Sequence, residues 1–74
     1  MKAYDRIKFG ERLRELREEK HLSQDALALE LRLSNASISY WETGKQIPNA
    51  EAVFKLAVFF DVSADYLLGI TDEW

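Results

Sequence analysis

Residues 22–48 read LSQDALALELRLSNASISYWETGKQIP, and the fold of the whole chain turns on how this stretch divides. Ser23 offers a side-chain oxygen to the free amides of a following helix, and Asp25 sits favourably at that helix's positive end. Leu27, Ala28 and Leu31 then recur at helical spacing, so a helix is expected over about 24–31. Leu33 precedes a second capping residue, Ser34, after which Ile38 and Trp41 form a short apolar edge until Gly44 stops the run. That pattern predicts a helix over about 35–43. The segment Lys45-Gln46-Ile47-Pro48 cannot continue it, because proline lacks an amide proton and its ring clashes with the preceding turn.

The flanks read in the same way. Over about 6–20, Ile7, Phe9, Leu13 and Leu16 can share one face, while Arg12, Arg14, Glu15, Glu18 and Glu19 fall largely elsewhere. Downstream, Asn49 can cap a helix over about 50–60 that carries Val53, Leu56, Ala57 and Phe60 on one face. Ser63 caps a last short turn from which Tyr66 and Leu67 return to the core, and the residues after Gly69, 70–74, are expected to fray. Three glycines and one proline leave room for few hairpins, so the fold class is all-α.

With 74 residues, 47% of them hydrophobic and 31% charged, the chain has the size of one soluble domain spanning 1–74. A chain this short buries only about 60% of its unfolded surface, so each large core residue matters. The absence of cysteine excludes a disulfide framework and a thiolate metal site, and it fits a reducing cytoplasm. No apolar run approaches the roughly 18 to 20 residues of a membrane span, and Met1-Lys2-Ala3-Tyr4-Asp5 lacks the hydrophobic stretch of a signal peptide. The formal charge of −3 argues against a diffuse basic field as the main asset, but the halves differ. Residues 1–37 carry eight basic and seven acidic side chains and residues 38–74 two and six, so an anion-binding face must draw on the first half plus Lys45.

Two short helices joined by about three residues have the geometry of a helix-turn-helix, whose second helix can enter a DNA major groove. Leu22-Ser23-Gln24, Leu27-Ala28, Leu31, Leu33-Ser34, Ile38-Ser39, Trp41-Glu42, Gly44-Lys45 and Ile47-Pro48 stand in joint order and spacing, and in these the segment resembles the phage-repressor-like (Cro and Xre type) helix-turn-helix family. The resemblance extends from Arg12, Leu13, Leu16 and Arg17 to Val62-Ser63 and Asp65-Tyr66-Leu67-Leu68-Gly69, covering about residues 9–69. It implies a five-helix, lambda-repressor-like domain that binds an operator as a homodimer, most simply as a repressor.

The resemblance also implies roles for single residues. Asn35, Ala36, Ser39 and Tyr40 match groove-facing positions: Asn35 can donate to and accept from adenine, Ala36 can meet a thymine methyl, and Tyr40 can reach a base or a phosphate. The alternative for Asn35 is a cap at the helix start. Gln24 matches a phosphate-contacting position, and Thr43, Gly44 and Lys45 match a turn that sets backbone amides and a basic side chain against phosphate. Arg14 and Asn49 are further candidates for the flanking backbone. Arg17 and Glu42 match a structural ion pair, and Ile47, Ala64 and Leu67 are dimer-interface candidates.

Three features depart from the family pattern. Arg32 stands in the turn where glycine is usual, so the turn is expected to differ slightly in shape. Leu29, Phe54, Val58 and Phe59 add apolar side chains to helices two and four, either as a fuller core or as a surface for a protein partner. The net negative charge predicts weak or dimer-dependent DNA binding. An enzyme reading finds only His21 in a turn and the spacing of Asp61 and Asp65, with no nucleophile, base and orienter set; no cofactor or metal is implied. The rival reading is a protein-interaction module of antitoxin or anti-repressor type on the same scaffold.

Overall fold

The computed structural model describes residues 3–74, and these form five α-helices without a strand among them. They are α1 (Arg6–Glu19), α2 (Gln24–Leu31), α3 (Asn35–Glu42), α4 (Ala50–Phe60) and α5 (Ala64–Leu68). Each opens on a side-chain cap. Asp5 accepts from the Ile7 and Lys8 amides, Ser23 from Ala26, Ser34 from Ser37, Asn49 from Ala52 and Ser63 from Tyr66. Helices α1 and α3 each stop one residue short of their expected ends; α2 and α4 match theirs.

Arg32 ends α2 in the left-handed conformation, with φ 56° and ψ 46°, and the Leu33 amide donates to the Ala28 carbonyl at 2.8 Å. The turn thus keeps the shape a glycine would give it, contrary to the expected distortion. The cost of seating an L-residue there is on the order of 1 kcal/mol. Asp61 ends α4 in the same way at φ 55°.

Phe9, Leu13, Leu27, Ile38, Leu56 and Leu67 are fully enclosed and form the centre of the core. Leu67 is therefore packed inside and has no surface to offer a second copy, which overturns its place among the dimer-interface candidates. Ile7 also differs from expectation: it is 57% exposed, while Gly10 and Arg12 take the inward positions on α1. A Cβ on Gly10 would sit 2.5 Å and 2.6 Å from the Glu42 and Trp41 carbonyl oxygens, so only glycine lets α1 approach the end of α3 this closely.

Arg12 ties the last residues to the body of the fold. Its guanidinium lies 4.1 Å over the Tyr66 ring, donates to the carbonyls of Tyr66 and Thr71, and pairs with the Asp72 carboxylate. The Ser63 amide donates to the Trp74 carbonyl at 2.8 Å. The segment 69–74 is thereby strapped across α1 and α5, a correction to the expected loose tail. The hydrogen bond from Arg12, with the Lys8 charge beside it, holds the Asp72 carboxyl below its ordinary range.

Two outcomes follow from these contacts. Gly10→Ala is expected to lower stability by about 1–3 kcal/mol, a fall in Tm of roughly 4–20 °C, where an unobstructed helical glycine would gain on the same change. Thermal unfolding followed by circular dichroism checks it. An acid held lower in the folded than in the unfolded chain contributes above its ordinary pKa and ceases to contribute as pH falls through the lowered value. The Ser63 amide resonance should therefore move only in acid, below about pH 4, and Asp72→Asn should show that acid position already at neutral pH.

Candidate nucleic-acid interface

Helix α3 is held in place by one buried carboxylate. The Glu42 side chain is 1% exposed and accepts from Arg17 twice, Nε to Oε2 at 2.6 Å and Nη2 to Oε1 at 3.0 Å. Arg17 also donates to the Leu22 carbonyl at 2.8 Å, so the same guanidinium fixes the turn before α2. Gln24 Nε2 donates to Glu42 Oε1 at 3.2 Å, and Arg14 Nε lies 3.7 Å from that oxygen. Three helices thus meet on one charge. The hydrogen bond to Glu42 raises the Arg17 guanidinium above its ordinary pKa.

The outer side of α3 follows from this anchoring. Ile38 and Trp41 turn into the core, Asn35, Ala36 and Tyr40 face solvent, and Ser39 is half-buried. Ser34 caps the helix through the Ser37 amide at 3.0 Å, so Asn35 is not the cap. The Asn35 amide instead donates to Asp25 Oδ1 at 2.6 Å, across the two helices. Lys45 Nζ stands 6.0 Å from the Tyr40 ring centroid. The one acid in α3 is Glu42, buried and paired, so the exposed side of this helix brings no carboxylate of its own.

The turn after α3 departs from expectation. The Gly44 amide donates to the Trp41 carbonyl at 3.3 Å, and the Lys45 and Gln46 amides donate to the Tyr40 carbonyl at 2.8 Å and 3.4 Å. These amides close the helix on its own carbonyls. Thr43 spends its hydroxyl proton on the Ser39 carbonyl at 2.9 Å. The Lys45 side chain is what the turn leaves for an anion. Gln24 keeps a second amide proton, and the first amides of α2 have no acceptor within the helix. Asn49 Oδ1 caps α4 at 2.8 Å, leaving its nitrogen outward, and the Arg14 side chain is 48% exposed.

Sequence reading missed the partner of Asn35. Asp25 was legible only as a charge at a helix start, and its bond to Asn35 depends on how α2 and α3 cross. On α4, Phe54 and Val58 are 68% and 65% exposed and line a shallow groove with Leu31, Arg32 and Lys55, while Leu29 on α2 is 81% exposed. Phe59 alone takes the core alternative, edge-on to Phe60 at 5.0 Å. Ile47 is exposed and Ala64 half-buried. Among the described residues no cluster of three or more His, Cys, Asp or Glu is placed to hold a metal, and no helix is long and apolar enough to cross a membrane.

A helix-turn-helix family model matches residues 13–67. The HTH-type transcriptional activator BcrR of Enterococcus faecalis is 44% identical over 62 residues, which span 84% of this chain and 30% of that protein. The uncharacterized HTH-type transcriptional regulator YobD of Bacillus subtilis is 35% identical over 65 residues, spanning 88% and 58%. The chain therefore covers less than two thirds of these curated relatives. Among solved structures, the restriction-modification controller protein C.AhdI of Aeromonas hydrophila superposes with a TM-score of 0.78 at 38% identity, covering 85% of this chain and 96% of that one. The P22 c2 repressor in complex with a synthetic operator gives 0.77 at 38% identity, covering 81% and 91%.

Removing the buried acid should strand Arg17. Glu42→Ala is expected to cost about 3–5 kcal/mol in chemical denaturation, and Glu42→Gln, which keeps hydrogen-bonding oxygen in place, less. A loss below about 1 kcal/mol for the alanine variant would mean that the pair behaves as a solvated one.

Proposed function

The chain belongs to the helix-turn-helix family, of Xre/Cro type, and on that footing we propose that it binds double-stranded DNA sequence-specifically as a transcriptional regulator. The observation that carries the proposal is the outer side of α3: Asn35, Ala36, Ser39 and Tyr40 present neutral polar and small groups, with the only acid of the helix buried against Arg17. Neutral groups of this kind suit a groove-reading helix, since carboxylates on α3 itself would add repulsion from the phosphates.

In this reading α3 lies in the major groove. Asn35 pairs with adenine, Ala36 meets a thymine methyl, Ser39 accepts either donor or acceptor, and Tyr40 reaches an adjoining base or phosphate. Lys45 is the principal phosphate contact, supported by Gln24 and the first amides of α2, with Arg14 and Asn49 at the flanks. Thr43 joins them only by turning its hydroxyl away from the Ser39 carbonyl.

The finer proposal is a cytoplasmic repressor that occupies a palindromic operator as a homodimer. One eight-residue helix reads few base pairs, and two-fold pairing doubles the site. Ile47 and Ala64 remain the residues proposed for that contact. The likeness to the P22 c2 repressor, solved in complex with a synthetic operator, supports it. A second reading, a protein-interaction module of antitoxin or anti-repressor type, draws on the exposed Leu29, Phe54 and Val58. Catalysis has no part in either reading.

Fluorescence anisotropy separates the two readings, using labelled duplex from the region upstream of the chain's own gene and a scrambled duplex at two salt concentrations. The proposal expects tighter, salt-sensitive binding to the upstream duplex. Lys45→Ala should weaken both duplexes alike and reduce the salt slope by about 1, whereas Asn35→Ala should weaken only the upstream one, at unchanged Tm. Equal or absent binding by folded protein at concentrations that permit pairing would favour the protein-interaction reading.

A further inference from the structure

We infer that Asp25 sets the base preference of α3 by locking the Asn35 side chain in one orientation, at some cost in affinity. The inference rests on the DNA-binding reading above. An asparagine amide has two ends of nearly equal shape and opposite chemistry, and the torsion that exchanges them is soft. An unrestrained Asn35 would turn either end to the groove and so tolerate acceptors and donors alike.

Asp25 removes that freedom. Its Oδ1 lies 2.6 Å from the Asn35 amide nitrogen, and an ionised carboxylate can only accept, so the end of the amide facing it has to be nitrogen. One proton is spent there. The remaining proton and Oδ1 are the donor and acceptor that the N7 and N6 edge of adenine requires. Among the described residues no other side chain bonds to it, and the helix cap is supplied by Ser34.

The position of Asp25 is itself fixed. It occupies the first turn of α2, directly after Gln24, whose amide is bonded to Glu42, and within the loop that the Ser23 cap closes on the Ala26 amide, so the buried acid that anchors α3 also anchors the turn that carries Asp25. No cation lies within ion-pair distance of Asp25 among the described residues. Its charge is therefore uncompensated beside the proposed groove face and opposes every duplex equally. The device trades general attraction for discrimination, which is how charged groups often act at interfaces.

Selection from a pool of duplexes with randomised central base pairs tests this, with the wild-type chain, Asn35→Ala, Asp25→Ala and Asp25→Asn compared at equal Tm. The wild type should enrich adenine at one position by roughly the 5- to 150-fold that a bidentate contact supports. Asn35→Ala and Asp25→Ala should both flatten that position and spare the others, and Asp25→Ala should bind the unselected pool more tightly than wild type. Asp25→Asn, whose amide can present either a donor or an acceptor to Asn35, should relax the adenine preference as Asp25→Ala does. Retention of that preference by Asp25→Ala, or a motif that Asn35→Ala leaves intact, would overturn the inference while leaving the DNA-binding reading standing. A wild-type chain that enriches no sequence would overturn both.

Discussion

A carboxylate withdrawn from water loses several kcal/mol of hydration, and only a closely fitted cation with further hydrogen bonds offsets that loss. Glu42 meets the condition through the fork of Arg17, the amide of Gln24 and the nearby Arg14. Because those partners come from α1 and α2 while Glu42 ends α3, the angle between the helices of the motif depends on one ion. Gly10 adds the steric half of the same constraint, since a side chain there would press on the carbonyls of Trp41 and Glu42. The groups on the outer side of α3 owe their placement to this joint.

Much of the fold was legible because helix starts are decided locally. Ser23, Ser34, Asn49 and Ser63 each cap the helix that follows them, and a cap needs only the next three residues to be recognised. What escaped reading depends on residues far apart in the chain. Arg12 looks like a solvated charge on α1, yet it is buried by a segment some sixty positions away, and nothing near it in sequence signals Thr71 or Asp72. Ile7 is exposed against expectation because the close approach at Gly10 and the buried Arg12 set the rotation of α1, whereas Leu67 returns to the core as its spacing after Ser63 suggests.

The candidate site divides along the same line. Which residues of α3 face outward could be read from Ile38 and Trp41, whose burial fixes the rotation of the helix. The hydrogen-bonding state of those residues could not. Asn35 is tied to Asp25, Thr43 is satisfied by its own helix, and the amides after Gly44 complete a helix end where the sequence pattern suggested an anion cradle. Net charge also misleads here, because Glu42, the one acid of α3, is buried and paired, which leaves Asp25 as the exposed acid beside Asn35. The exposed Leu29, Phe54 and Val58 lie on helices α2 and α4, apart from the outer residues of α3, so the two surfaces can be told apart by where a ligand acts.

The central claim is that DNA meets this chain on the outer side of α3. Amide chemical-shift mapping of the isotope-labelled chain, titrated with the upstream duplex, tests it most directly. The account predicts that the largest changes fall at Gln24, Asp25, Asn35, Ala36, Ser39, Tyr40 and Lys45, while Leu29, Phe54 and Val58 stay still. Changes centred on Leu29, Phe54 and Val58, or spread evenly without saturation, would contradict it.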